Sequence, residues 1–169
     1  MSATATTTRL RPATPQDWPG MRRIFLEGIA TGHASFETPD TVPQDFETWL
    51  RHKHRDSLIV AESDGQLVGW AALAPTSHRA CYRGVAECQL YVSADARGQG
   101  IGDRLLKALI DHAGTSGIWT IEAIVFPENQ TSRRLFARHG FREVGRRERI
   151  AKMNGEWRDT LLLEYRFVD

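Results

Sequence analysis

At 169 residues, with 41% hydrophobic and 25% charged side chains, the chain has the length and make-up of one globular domain with a sizeable core. A formal net charge of +1 argues against the long-range attraction that carries strongly basic chains to nucleic acid or anionic membranes. No stretch approaches the roughly 20 apolar residues of a membrane span.

Residues 1–8 are small and polar, without the apolar core of a signal peptide. They are expected to form a flexible tail ahead of a domain at 9–169, in a cytoplasmic protein. Residues 8–13 read as a first strand. Thr14 as N-cap, Pro15 at the first helical position and Asp17 in the first turn then open a helix. Met21, Ile24, Phe25 and Ile29 give that helix one apolar face. Gly and Pro content makes 32–43 a loop, and it carries Phe36. A second helix is expected over 44–54, with Phe46, Trp49 and Leu50 on one side. Strands at 57–62 and 66–74 are joined by Ser63-Asp64-Gly65, a hairpin signal.

A polar, basic loop at 75–84 leads to a strand at 85–92. There Ala86, Cys88, Leu90 and Val92 alternate with Glu87, Gln89 and Tyr91, which predicts one apolar and one polar face. Three closely spaced glycines follow, and then Leu105, Leu106, Leu109, Ile110 and Ala113 recur at helical spacing. Residues 119–126 read as a strand, and 129–139 as a short helix over Leu135 and Phe136 that Gly140 terminates. Segments 141–150 and 156–167 meet at Met153-Asn154-Gly155, another hairpin turn. The pattern predicts one α+β domain, a mixed and mostly antiparallel sheet of about seven strands flanked by about four helices.

Cys81 and Cys88 are the only cysteines and form no CxxC, so neither zinc nor a disulfide framework is indicated. Cys88 reads as a small buried hydrophobe. The six histidines show no paired metal-ligand spacing, and no metal is expected. The arginines between 133 and 149 form the one basic run. Glu143 and Glu148 dilute it, which favours a solvated face over a nucleic-acid surface.

The chemistry concentrates at the glycine turn. A helix entered through glycines presents unpaired backbone N–H groups at its positive end, a surface suited to phosphate. A dinucleotide fingerprint would need G-x-G-x-x-G, with an acid such as Glu122 about twenty residues on. Gly98-Gln99-Gly100-Ile101-Gly102 is spaced G-x-G-x-G instead, with Asp103 where the third glycine belongs. A P-loop is weaker still, because no Gly-Lys-Ser/Thr follows. The remaining reading is a tight turn without a ligand.

Arg97-x-x-Gly100-x-Gly102 resembles the acyl-CoA pyrophosphate loop of the GNAT superfamily of N-acetyltransferases. The segment Asn129-x-x-Ser132-x-x-Leu135-Phe136-x-x-x-Gly140-Phe141 is similar to the superfamily's second cofactor segment. A narrower resemblance is to the phosphinothricin and methionine sulfoximine acetyltransferases. It rests on Ser35-Phe36-Glu37-Thr38, on Ala80-Cys81-Tyr82-Arg83-Gly84-Val85-Ala86-Glu87, and on Lys152-x-x-Gly155-x-Trp157-x-Asp159. One departure stands out: Thr76-Ser77 occupies the place where this group often has Trp-Arg.

This resemblance implies a GNAT-like fold whose central strand splays from the next to make a cofactor cleft. It also implies acetyl-CoA as co-substrate, with its pyrophosphate on the backbone of Gly98, Gln99, Gly100, Ile101, Gly102 and Asp103 and with Arg97 beside it. Pantetheine would pair with Leu90, Tyr91 and Val92 as an added strand does; Asn129 would hold a pantetheine amide, its competing reading being an N-cap for the helix that follows, and Ser132 is a further cofactor contact. A backbone N–H near Leu90 would stabilise the thioester oxyanion. Glu87 is the candidate base that takes a proton from the acceptor amine; the competing reading is a strand glutamate paired with Arg83. Phe36, Arg79, Tyr82 and Arg83 are the candidate acceptor contacts, the arginines because guanidinium pairs bidentately with carboxylate or phosphinate. The hairpin at 152–159 is expected to build a subunit interface or close the acceptor site, and a homodimer is implied.

The resulting expectation is acetyl transfer from acetyl-CoA to the amine of a small amino acid or analogue, by direct attack in a ternary complex. Acetylation of a protein N-terminus or another small amine remains open. So do a non-catalytic acyl-CoA sensor, which needs the glycine loop without Glu87, and a nucleotide-binding redox domain.

Overall fold

The structure, a computed structural model, describes residues 7–168. Its elements in order are β1 (Thr8–Pro12), α1 (Trp18–Ala30), α2 (Phe46–Leu50), β2 (Ile59–Ser63), β3 (Gln66–Pro75), β4 (Val85–Val92), α3 (Ile101–Thr115), β5 (Thr120–Val125), α4 (Gln130–Arg138), β6 (Arg142–Met153) and β7 (Glu156–Arg166). The strands form one sheet ordered β1-β2-β3-β4-β5-β7-β6. Its neighbours run antiparallel except β4 and β5, which run parallel. The expected tail lies largely outside the described residues, and Thr8 already belongs to β1.

Both two-residue turns form as their sequences predict. Asp64-Gly65 joins β2 to β3 with φ of 50° and 78°, and Asn154-Gly155 joins β6 to β7 with 52° and 81°. Two successive positive φ values match the right-handed twist of the flanking strands. Asp17 governs the entry to α1. Its carboxylate accepts the Thr14 N–H at 2.8 Å and pairs with Arg11 at 2.8 Å. Residues Pro15–Asp17 make a 3₁₀ turn, so the α-helix proper starts three residues after the expected Pro15.

The second helix is shorter than its expected span of 44–54. Asp45 caps it, accepting the Thr48 N–H at 2.9 Å. After Leu50 the chain tightens, with Lys53 N–H on the Leu50 carbonyl, and His54 N–H then turns to the Leu73 carbonyl of β3 at 2.8 Å. Attachment to the sheet outcompetes a further helical turn.

Helices cover both faces of the sheet. Leu105, Leu106 and Leu109 of α3 and Leu135 and Phe136 of α4 pack with Ala86, Cys88, Ile121 and Leu163 on one face. Met21, Ile24 and Phe25 of α1 and Trp49 and Leu50 of α2 pack on Val60 and Trp70 on the other. Trp70 is fully buried, and its indole N–H donates to the Met21 carbonyl at 3.0 Å. The β4 face expected to be polar is therefore only partly so. Tyr91 packs beneath α1 between Phe25 and Trp70, at ring separations of 4.8 and 5.0 Å. Room for that ring comes from Gly28, where a Cβ would stand 2.7 Å from it.

The sheet opens at its middle. β4 follows β3 from Pro75↔Ala86 to Gly69↔Val92, whereas it pairs with β5 only from Val85↔Thr120 to Glu87↔Glu122. Beyond that point β5 stays with β7 through Val125↔Leu161. Gly84 closes the base of this split: its carbonyl accepts the Trp119 N–H at 2.8 Å, and the Trp119 ring fills the space where a Cβ would lie.

Candidate active site

Where β4 and β5 separate, a cavity of about 930 Å³ opens. Its walls come from β4, β5, the glycine turn, α4 and the segment that links α1 to α2. Two ends can be told apart. From Glu87 to Val92 is about 16 Å along an extended strand, and the glycine turn comes after Val92.

At the far end, Gly98 and Gly100 each have φ of 76°, and a Cβ on either would meet nothing within 4 Å. The backbone N–H groups of 98–103 have no partner among the described residues, as expected of a first helical turn without a side-chain cap. Arg97, Gly98, Gly100, Ile101, Gly102 and Asp103 line this end, together with Asn129, Ser132, Arg134 and Arg138; Gln99 does not. Burial opposes ionisation of Asp103, but hydrogen bonds from His139 at 3.0 Å and Arg138 at 3.1 Å hold its carboxyl below the usual range. The negative charge in this first turn is thus paired, and the helix end keeps its attraction for an anion. The residues fit a diphosphate.

Between the ends, Leu90, Tyr91 and Val92 line the cavity. From Cys88 onward β4 has no partner on its β5 side, so alternate backbone amides face the cleft, where an extended amide-bearing chain can pair with them. Asn129 caps α4, accepting the Ser132 N–H at 3.1 Å, and its amide donates to the His33 carbonyl at 3.2 Å. Both capabilities of that side chain are therefore in structural use.

At the near end stands Glu87, half-buried on β4. Burial pushes its carboxyl above the ordinary carboxylate value, Lys53 opposes that, and the like charge of Glu122 adds to it. A desolvated carboxyl facing a cavity is suited to accepting a proton. Phe36 reaches across from the α1–α2 segment and packs on Phe126 with ring centres 4.8 Å apart. The same segment is tied to the opposite wall through Asn129 and through Arg158, whose guanidinium donates to the Gly32 carbonyl at 2.9 Å. It therefore bridges the opening. Glu37, Trp49 and Lys53 complete this end.

Arg79, Tyr82 and Arg83 do not line the cavity. On the exposed loop before β4, Arg79 lies over the Tyr82 ring at 5.7 Å and Arg83 over the ring of Trp119, the residue before β5, at 5.6 Å. Aromatic faces hold both guanidiniums, and among the described residues no ion pair joins Arg83 to Glu87. Lys53, Glu37 and Trp49 were not anticipated as site residues. The available signal was Lys53 four residues after Trp49, on the same helical side. Cys88 is buried, which pushes its thiol far up, whereas Cys81 is exposed. No helix among the described residues is long and apolar enough to cross a membrane.

Residues 18–141 match the model of the acetyltransferase (GNAT) family. The phosphinothricin N-acetyltransferase of Alcaligenes faecalis is 34% identical over 161 residues, covering 92% of this chain and 80% of that one. The L-methionine sulfoximine/L-methionine sulfone acetyltransferase of Pseudomonas paraeruginosa is 26% identical over 158 residues, with 92% of each chain covered. Among solved structures, a GNAT-superfamily phosphinothricin acetyltransferase from Sinorhizobium meliloti in complex with acetyl-CoA superimposes with a TM-score of 0.82. It is 28% identical, over 95% of this chain and 88% of that one. The open sheet and its glycine turn are thus accounted for by descent as well as by chemistry: the chain belongs to the acetyltransferase (GNAT) family, whose members of this kind transfer acetyl from acetyl-CoA to an amine.

Proposed function

We propose that this acetyltransferase acts on the α-amine of a small amino acid or analogue of the phosphinothricin or methionine sulfoximine kind, by direct attack within a ternary complex. The observation that carries this reading is the position of Glu87: a desolvated carboxyl at the last paired residue of β4, in the same cavity as the glycine turn.

Acetyl-CoA is held with its pyrophosphate on the N–H groups of 98–103 and Arg97, and its pantetheine along Leu90, Tyr91 and Val92, with Ser132 and the second lone pair of the Asn129 carbonyl nearby. The acceptor enters at the near end beside Phe36. Its ammonium gives a proton to the Glu87 carboxylate, and the freed lone pair attacks the thioester carbonyl carbon. The C–N bond forms, an unpaired N–H of β4 steadies the oxygen, and the C–S bond breaks. As the C–S bond breaks the nitrogen releases its second proton to solvent to become the neutral amide, and the departing thiolate takes a proton from solvent.

Val144, Ile150 and Trp157 are exposed on the β6–β7 hairpin, which supports a homodimer through that edge. The test of the function is thiol release from acetyl-CoA across free amino acids, phosphinothricin and methionine sulfoximine. Turnover on one of these with formation of its N-acetyl product is expected. Acetyl-CoA binding without turnover on any amine would favour a sensor.

A further inference from the structure

We propose that Lys53 selects acceptors bearing a carboxylate: its ammonium pairs with the acid group of an amino acid whose amine faces Glu87. This rests on the amino-acid reading above and assigns the residue that enforces it.

Four observations converge on Lys53. Its place is fixed. The chain leaves α2 at Leu50 and is pinned to β3 by the His54 N–H bond to Leu73, and the Lys53 ammonium lies 5.0 Å from the centre of the Trp49 ring. Trp49 is itself buried and packs edge-on against Trp70 at 5.3 Å, so the surface beneath the lysine is rigid.

Its charge is uncommitted. Among the described residues no carboxylate lies within ion-pair distance of Lys53, whereas Arg23, Arg55 and Arg138 each have a paired acid. Its neighbourhood is selective. Among the described residues, the lysines and arginines lining the cavity are Arg97, Arg134 and Arg138, on the glycine turn and α4, and Lys53, which follows α2. Arg79 and Arg83 are not among the residues that line it.

Finally, its environment favours a guest anion. Burial works against the charge on Lys53, while Glu87 and Glu37 support it without touching it. A carboxylate placed directly on the ammonium restores what desolvation removes. One cation and two carboxylates at this end complement a zwitterion, with ammonium toward Glu87 and carboxylate toward Lys53.

The test compares L-methionine sulfone with its carboxamide, which keeps the α-amine and lacks the acid. Both are assayed with the wild-type chain, Lys53→Gln and Lys53→Arg. For Lys53→Gln we expect KM for the acid to rise about tenfold or more with kcat changed less than about threefold. The ratio of kcat/KM for acid over carboxamide should fall by about the same tenfold, and Lys53→Arg should restore most of it.

An equal loss on both acceptors, or a loss in kcat alone, would overturn the proposal and make Lys53 a support for Glu87. A wild-type chain that acetylates acid and carboxamide equally would overturn it too, while leaving amine acetylation intact. Failure of the wild type on both, and on the wider amino-acid panel, would remove the amino-acid reading and this assignment together.

Discussion

Glu87 and Glu122 are register partners in the last residue pair that joins β4 to β5. Two carboxyls therefore stand side by side where the cleft begins. Burial raises both above their ordinary value; Lys53 opposes this at Glu87 and Arg147 at Glu122. A base must be charged to act, so kcat should decline as pH falls through a midpoint above 4.5, the ordinary glutamate value. Glu122→Gln removes a like charge that raises Glu87, and the midpoint should move to lower pH. A kcat–pH profile of both proteins checks this; an unmoved midpoint would show that another group controls the limb.

Replacing the base separates chemistry from cofactor binding. Glu87→Gln should lower kcat by about 10²–10⁴. Calorimetry should find acetyl-CoA affinity within about threefold of wild type, because the N–H groups proposed to hold the diphosphate lie at the other end of the strand. Unchanged turnover would remove Glu87 as the base.

Two glycines should fail in different ways. A Cβ on Gly84 would meet the Trp119 ring at 2.0 Å, at the point where β4 and β5 are clamped together. Gly84→Ala should destabilise the fold by at least the roughly 1–3 kcal/mol of an overpacked core, read as a lowered Tm. A Cβ on Gly98 meets nothing, although φ is 76° there. Gly98→Ala should cost about 1–2 kcal/mol of backbone strain and chiefly weaken acetyl-CoA binding, because the added methyl would stand at the proposed diphosphate surface.

Asn129 allows its two duties to be dissected. Asn129→Ala removes both the cap of α4 and the tie to His33, and should cost about 1 kcal/mol or more. Asn129→Asp keeps the cap acceptor and loses the donor. Stability should then stay near wild type while KM for the acceptor rises, since the segment that carries Phe36 is released on one side.

The residues explain which parts of this account were readable in advance. The glycine turn, the two hairpin turns and the alternation of β4 are local patterns, in which φ requirements and side-chain periods are written in adjacent residues. The turns appear in the structure where the sequence puts them, and the alternation of β4 holds through Cys88. The acceptor end is built from segments distant in the chain: Phe36 on Phe126, Lys53 on Trp49, and Arg158 on Gly32. No local pattern encodes such meetings. Arg79 and Arg83 show the converse. Their charge and their place before β4 suggested a grip on the acceptor; in the structure they lie over the rings of Tyr82 and Trp119 and do not line the cavity. Tyr91 alternates with the polar set, yet the ring space above Gly28 draws it under α1.

The central claim is that acetyl-CoA and the acceptor meet in one cavity and that acetyl passes between them directly. Initial rates of thiol release, with acetyl-CoA and methionine sulfoximine varied against each other, test it most directly. Double-reciprocal lines that intersect, with N-acetyl product formed, are the predicted result. Parallel lines, the mark of an acetyl-enzyme formed before the acceptor binds, would contradict it.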